Sequence, residues 1–124
     1  MTRLSPVILI VEDELLLRMD SAEIIENTGF EVIQAANADE AIGILKSRPD
    51  VRVVFTDIQM PGSMDGLKLA RFVRDRWPPI KIMATSGRVV AGDDDLPTGS
   101  LFLRKPYLGT EVVAALRALT GAAS

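Results

Sequence analysis

The chain predicts an α/β domain, a five-stranded parallel sheet covered by helices on both faces. Short apolar runs alternate with helix-period segments along all 124 residues, the pattern left by repeated strand–helix units. The first run, Val7–Val11, is continuous and of strand length. No repeat, linker or low-complexity tract interrupts the alternation, and the length suits one domain spanning residues 1–124.

The elements follow in order. After the Val7–Val11 strand, Glu14–Thr28 reads as a helix with Leu15, Met19, Ala22 and Ile25 on one face and Gly29 at its C-terminal end. Glu31–Ala35 is a second strand. Asn37 caps the next helix with Glu40 three residues on, as in a capping box; Ala41, Ile44 and Leu45 face inward and Pro49 closes it. Val51–Thr56 is the third strand. Asp65–Trp77 is a helix with Leu69, Phe72, Val73 and Trp77 apolar, stopped by Pro78-Pro79. Ile80–Ala84 and Leu101–Leu103 are the fourth and fifth strands. Thr110–Leu119 is the last helix, with Val112, Val113, Leu116 and Leu119 apolar and Gly121 ending it. Between the last two strands, Arg88–Gly99 holds Gly92, three consecutive Asp and Pro97, with Val89 and Val90 its candidate apolar face. A fourth helix there is expected to be short or irregular.

Right-handed crossovers leave few windings for such a sheet. In the flavodoxin-like order 2-1-3-4-5 the ligand crevice lies beyond the carboxyl ends of strands one and three. Those strands run into Glu12-Asp13 and Asp57, and strand five runs into Lys105. Charge gathered at one sheet edge needs a reason: at about 5 Å and an effective dielectric near 20, each carboxylate pair costs roughly 3 kcal/mol. A cation removes that cost. The chain has no His and no Cys, which leaves oxygen ligands and favours Mg²⁺ over zinc or copper. Lys105 brings an ammonium and Thr85 a hydroxyl to the same edge. Together these groups suit phosphoryl transfer, with an Asp as nucleophile.

Composition narrows the remaining classes. Thiol chemistry and disulfides are excluded by the absence of Cys. A formal net charge of −3 argues against a nucleic-acid-binding module. No apolar stretch reaches the roughly 18 residues of a membrane span, and the N-terminus carries no cleavage-site pattern. A cytoplasmic protein is expected.

Glu12-Asp13 after strand one, Asp57 in ThrAspIleGlnMetProGly, Asp65-Gly66 opening a helix, Thr85-Ser86 after strand four and Lys105-Pro106 after strand five resemble the receiver domain of two-component response regulators. The resemblance runs the length of the chain, in order and spacing. It implies that Asp57 accepts a phosphoryl group from a phosphohistidine on a partner, a sensor histidine kinase or histidine phosphotransfer protein. It implies that Asp13 ligates Mg²⁺ directly, Glu12 directly or through water, and Gln59 through its backbone carbonyl. Thr85 and Lys105 would bind the phosphoryl oxygens, and Phe102 stands at the position of a switch aromatic. A downstream protein target would read the switch, and the chain would act by binding without turning over a substrate. The resemblance also implies a cis Lys105-Pro106 peptide.

This sequence departs from the family pattern in places. Glu12 replaces the more frequent Asp, Phe102 lacks a tyrosine hydroxyl, and MetProGlySerMetAspGly is one residue longer than the commonest form of that loop. Singly, the motifs have plainer readings: Glu12-Asp13 suits a helix N-terminus, Thr85-Ser86-Gly87 and Lys105-Pro106 suit turns, and Asp93–Asp95 suits a solvated loop. Their coincidence at one edge favours the site. An enzyme rival, a Mg²⁺-dependent aspartyl-phosphate phosphatase, would need an acid–base Asp two residues after the nucleophile, where this chain has Gln59. Nucleotide or flavin binding lacks a Gly-rich phosphate loop after strand one. An interaction module that is never phosphorylated would not need the intact acids, Thr85 and Lys105. The expected form is a stand-alone receiver; the alternative is a receiver domain excised from a larger regulator or hybrid kinase.

Overall fold

The computed structural model describes residues 5–60, 62, 64–87 and 96–121. The chain runs β1 (Val7–Val11), α1 (Leu15–Glu26), β2 (Glu31–Ala35), α2 (Ala38–Ser47), β3 (Val51–Asp57), α3 (Gly66–Arg76), β4 (Lys81–Ser86), β5 (Leu101–Arg104) and α4 (Gly109–Thr120). The strands form one parallel sheet in the order β2-β1-β3-β4-β5, the doubly wound arrangement expected from the alternation.

Strand alternation splits the core into two layers. Leu9, Val11, Val54 and Ile82 point to the layer of α2 and α3, where Ala41, Leu45, Leu69 and Val73 meet them. Ile8, Ile10, Val53, Phe55 and Met83 point to α1 and α4, against Ala22, Ile25, Val112 and Leu116. All five residues of β1 are buried, which accounts for its unbroken apolar run. Burial on both faces fixes the register, because a one-residue slip would exchange the layers.

Helix ends follow local chemistry. Asn37 Oδ1 accepts from Glu40 N–H at 2.9 Å, and Glu40 Oε1 accepts from Ala36 N–H at 2.8 Å. Thus Glu40 reaches one residue further back than a simple capping box requires. Asp65 Oδ1 caps α3 through Lys68 N–H at 2.9 Å. Gly121 ends α4 with φ 69°, a left-handed conformation that suits glycine.

Some elements depart from expectation. Leu15 and Met19 are 54% and 51% exposed, whereas Ser21, Ala22 and Ile25 form the buried face of α1. Small residues there let the helix lie close to the sheet, and its leucine-rich first turn faces solvent. β3 extends to Asp57 and β4 to Ser86, so Asp57 and Thr85 lie within paired strands and not in the loops after them. The segment 96–100 is not helical. The remainder of the expected irregular helix, with Val89, Val90 and Asp93–Asp95, lies outside the described residues.

Candidate functional site at the carboxyl edge of the sheet

Glu12 directly follows β1, and its N–H still donates to Ala35 O at 3.1 Å, so it continues the sheet by one residue. Its side chain is turned inward, leaving it 7% exposed. Glu12 Oε2 accepts from Glu14 N–H at 3.2 Å. Arg18, one turn into α1, donates to Glu12 O at 2.8 Å and to Gln34 Oε1 at 3.2 Å. Arg18 clamps the loop carrying Glu12 and Asp13 to both the first helix and the second strand. Sequence reasoning missed it, and a cation six residues after Glu12 is a weak signal alone.

Asp57 ends β3 opposite Thr85 and is 7% exposed. Its Oδ1 accepts from Gln59 N–H at 3.1 Å and its Oδ2 from Lys105 Nζ at 2.8 Å. The backbone behind it is tightly packed: Ile58 N–H donates to Thr85 O at 2.9 Å and Gly66 N–H to Ile58 O at 2.8 Å. A methyl group at Gly66 would overlap the Asp57 carbonyl oxygen and press on Ile58 Cα at 2.7 Å. Glycine is therefore required where α3 starts, which gives the Asp65-Gly66 pair a steric basis.

Lys105 follows β5, precedes a cis bond to Pro106, and sends Nζ to Glu12 Oε1 at 3.1 Å as well as to Asp57. One ammonium thus bridges two buried carboxylates. Burial pushes the Glu12 carboxyl above its usual range; the bonds from Glu14 N–H and Lys105 oppose this, and the Asp57 charge adds to it. For Lys105, burial works against its charge, but the bonds to Asp57 and Glu12 prevail and raise its pKa above the usual lysine value.

Glu12, Asp13 and Asp57 each offer a carboxylate oxygen within 4.8 Å of the others. Glu12 and Asp57 are buried and Asp13 is exposed, so the cluster opens to solvent on one side. An all-oxygen donor set of this charge fits a hard divalent cation. Thr85 Oγ1 is buried and has no hydrogen-bond partner among the described residues, although it lines a small cavity with Glu12, Asp57 and Tyr107. A buried hydroxyl without a partner costs about 1–3 kcal/mol, and a ligand bearing acceptor oxygens would relieve that cost. Gln59 is exposed, and its side-chain oxygen accepts from Ser86 Oγ at 3.4 Å. Phe102 is half-buried on the edge strand opposite Ala84.

A second missed feature is Tyr107. Its ring packs on Phe55 with centroids 5.9 Å apart, and its hydroxyl meets Ser21 Oγ at 3.1 Å. On the outer side, Leu17, Ser21, Ile24, Lys105, Pro106 and Tyr107 line a groove of about 520 Å³. Leu16, Leu17, Ile24 and Leu108, exposed by 37% or more, give this part of the surface an apolar character.

The family model for the response regulator receiver domain matches residues 8–117. The chain is 32% identical over 114 residues to a putative response regulator NtrX-like of Rickettsia bellii, covering 89% of this chain and 24% of that protein. It is 36% identical over 107 residues to the sensor kinase CckA of Brucella abortus, covering 83% of this chain and 11% of the kinase. The chain therefore spans about a quarter or less of these two relatives. Among solved structures, a response regulator receiver protein from Sinorhizobium medicae superposes with a TM-score of 0.87 at 28% identity, covering 95% of this chain and 96% of that one.

Proposed function

Because the chain belongs to the response regulator receiver domain family of two-component signalling, we propose that it is a phosphorylation-controlled switch whose acceptor is Asp57. The observation that carries this reading is the pairing of Asp57, held by Lys105, with the buried hydroxyl of Thr85, which has no partner among the described residues. A phosphoryl group on Asp57 would offer oxygens to both.

In the proposed transfer, an Asp57 carboxylate oxygen bonds to phosphorus as the P–N bond of a partner's phosphohistidine breaks. The imidazole nitrogen leaves with the bonding pair, and an aspartyl phosphate results. Lys105 offers its ammonium to the transferred oxygens, Thr85 donates its hydroxyl, and Gln59 N–H steadies the carboxylate during attack. Glu12, Asp13 and Asp57 would hold Mg²⁺, with the Gln59 backbone carbonyl as a further ligand. When bound, the ion supplies positive charge against the acids and the phosphoryl oxygens. Phe102 is the proposed switch aromatic, reporting the modified state to a downstream protein.

The phosphodonor is proposed to be a histidine kinase or a histidine phosphotransfer protein. The apolar groove beside α1 supports a protein donor, since Lys105 belongs to both groove and acid cluster. No helix among the described residues is long and apolar enough to cross a membrane, in keeping with a proposed place of action in the cytoplasm. The chain would accept and lose its phosphoryl group without turning over another substrate. Gln59 borders the path of the water that hydrolyses the aspartyl phosphate, so replacing it with an apolar residue is expected to change the lifetime of the modification.

The test is incubation with Mg²⁺ and acetyl phosphate followed by intact-mass measurement. One phosphoryl adduct, absent in Asp57→Asn, is expected. A folded protein that takes no adduct would defeat the reading.

A further inference from the structure

We propose that Tyr107 is a positioning residue for Lys105, acting through its hydroxyl bond to Ser21. The inference rests on the phosphoryl-acceptor reading above and adds a residue to it. Lys105 has a flexible four-carbon stem, so where its ammonium sits depends on what holds its backbone. On one side, Lys105 N–H donates to Ser86 O at 3.0 Å; on the other, Leu108 N–H donates to Glu111 Oε1 at 2.9 Å. Between these anchors the Tyr107 side chain crosses to α1. It meets Ser21 Oγ at 3.1 Å, a contact between residues 86 positions apart.

The placement links the parts of the site. Ser21 lies on the buried face of α1, the helix entered through the Glu12-Asp13 loop. Phe55, on which the Tyr107 ring packs, lies two residues before Asp57 on β3. Tyr107 and Ser21 line both the outer groove and the small inner cavity shared by Glu12, Asp57 and Thr85. The ring is thus the wall between a surface open to a partner and the cavity behind the acceptor.

Plain core filling would not need the hydroxyls. A Phe–Ala pair would close the same wall without burying two polar groups, which must satisfy each other to avoid a desolvation cost. What the Tyr–Ser pair adds is direction, because a hydrogen bond has one good geometry where apolar packing has many. It holds the loop after β5 at a set distance from α1, and so holds Lys105 over Glu12 and Asp57. Misplacing a group at a reacting centre by as little as about 1 Å can cost as much as a hundredfold in rate.

The experiment uses the full chain with Mg²⁺ and acetyl phosphate. As Asp57 bonds to phosphorus, the P–O bond to acetate breaks and acetate leaves with the bonding pair. Rates of adduct formation are compared for the unaltered protein, Tyr107→Phe, Ser21→Ala, the double variant and Ser21→Thr, each shown to be folded by circular dichroism. Tyr107→Phe and Ser21→Ala should each slow the reaction roughly 3- to 10-fold, the worth of one hydrogen bond. The double variant should be no slower than either, and Ser21→Thr, which keeps a hydroxyl, should retain most of the rate. Unchanged rates in the single variants, or losses that multiply in the double, would overturn the proposal while leaving Asp57 as acceptor. An unaltered protein that forms no adduct would instead remove the acceptor reading, and this inference with it.

Discussion

Two ion-pair clusters, each a cation between one Glu and one Asp, sit at opposite ends of the sheet. At the amino end, Arg48 bridges Glu31 at 2.9 Å and Asp50 at 2.7 Å. At the carboxyl end, Lys105 bridges Glu12 at 3.1 Å and Asp57 at 2.8 Å. Each has one cation, two carboxylates and similar distances. The difference is water: the first cluster's side chains are 39%, 54% and 50% exposed, the second's 21%, 9% and 9%. In the exposed cluster the bonds dominate, so Asp50 is held below its usual range by Arg48 and Arg48 is pushed above its own. In the buried cluster desolvation competes, and Glu12 is pushed up despite its lysine partner. Bond geometry is enough to move these pKa values; removal from water decides how much the fold depends on the pair.

The largest test of that contrast is Lys105→Met. It leaves two buried carboxylates without their cation and should cost about 3 kcal/mol, the low end for breaking a buried pair. Added Mg²⁺ should recover part of the loss in thermal denaturation, and adduct formation should slow by more than tenfold. An equal loss with and without Mg²⁺ would detach the metal from the acid cluster.

The buried cluster also depends on backbone position, as the exposed one does not. Gly66→Ala should destabilise the fold by about 2 kcal/mol, because the new methyl displaces the Asp57 backbone. Urea unfolding measures the loss, and adduct formation should slow as well. An unperturbed Gly66→Ala would show that the contact between α3 and β3 is looser than it looks.

A smaller, spectroscopic effect comes from Tyr107, the chain's sole tyrosine. Burial raises its phenol pKa, while the bond to Ser21 and the Lys105 charge oppose the rise. A folded value above the unfolded one means the stability from burying the neutral phenol is present below about pH 10 and is lost as pH climbs through the folded value. Absorbance at 295 nm should titrate above the ordinary tyrosine range, and Tyr107→Phe should blunt alkaline unfolding.

The smallest effect belongs to Arg48→Ala. Its partners are solvated, so the melting temperature should move by about one degree and less in high salt. A shift as large as that of Lys105→Met would erase the distinction between the two ends.

Much of the site was legible along the chain because burial on both faces makes apolar runs conspicuous, and charge at their ends stands out. Glu12, Asp57 and Lys105 were found that way, and the structure gathers all three. The inner face of α1 was legible at Ala22 and Ile25 but not in the first turns of the helix. Leu15, Leu16, Leu17 and Met19 are apolar around much of the helix, so periodicity could not choose an arc, and the small Ser21 and Ala22 took the sheet side. Arg18 and Tyr107 were missed for another reason: their partners Gln34 and Ser21 lie 16 and 86 positions away.

The sequence by itself determined the succession of strands and helices and the chemical types at the strand ends. Both follow from local patterns of apolar and charged residues, which the backbone reads at periods of 2 and 3.6. Only the tertiary structure decided that one ammonium bridges Glu12 and Asp57, that the Thr85 hydroxyl is buried without a partner among the described residues, and that Tyr107 closes the wall beside them. Those are distances between segments far apart in the chain, set by how two core layers pack against one sheet.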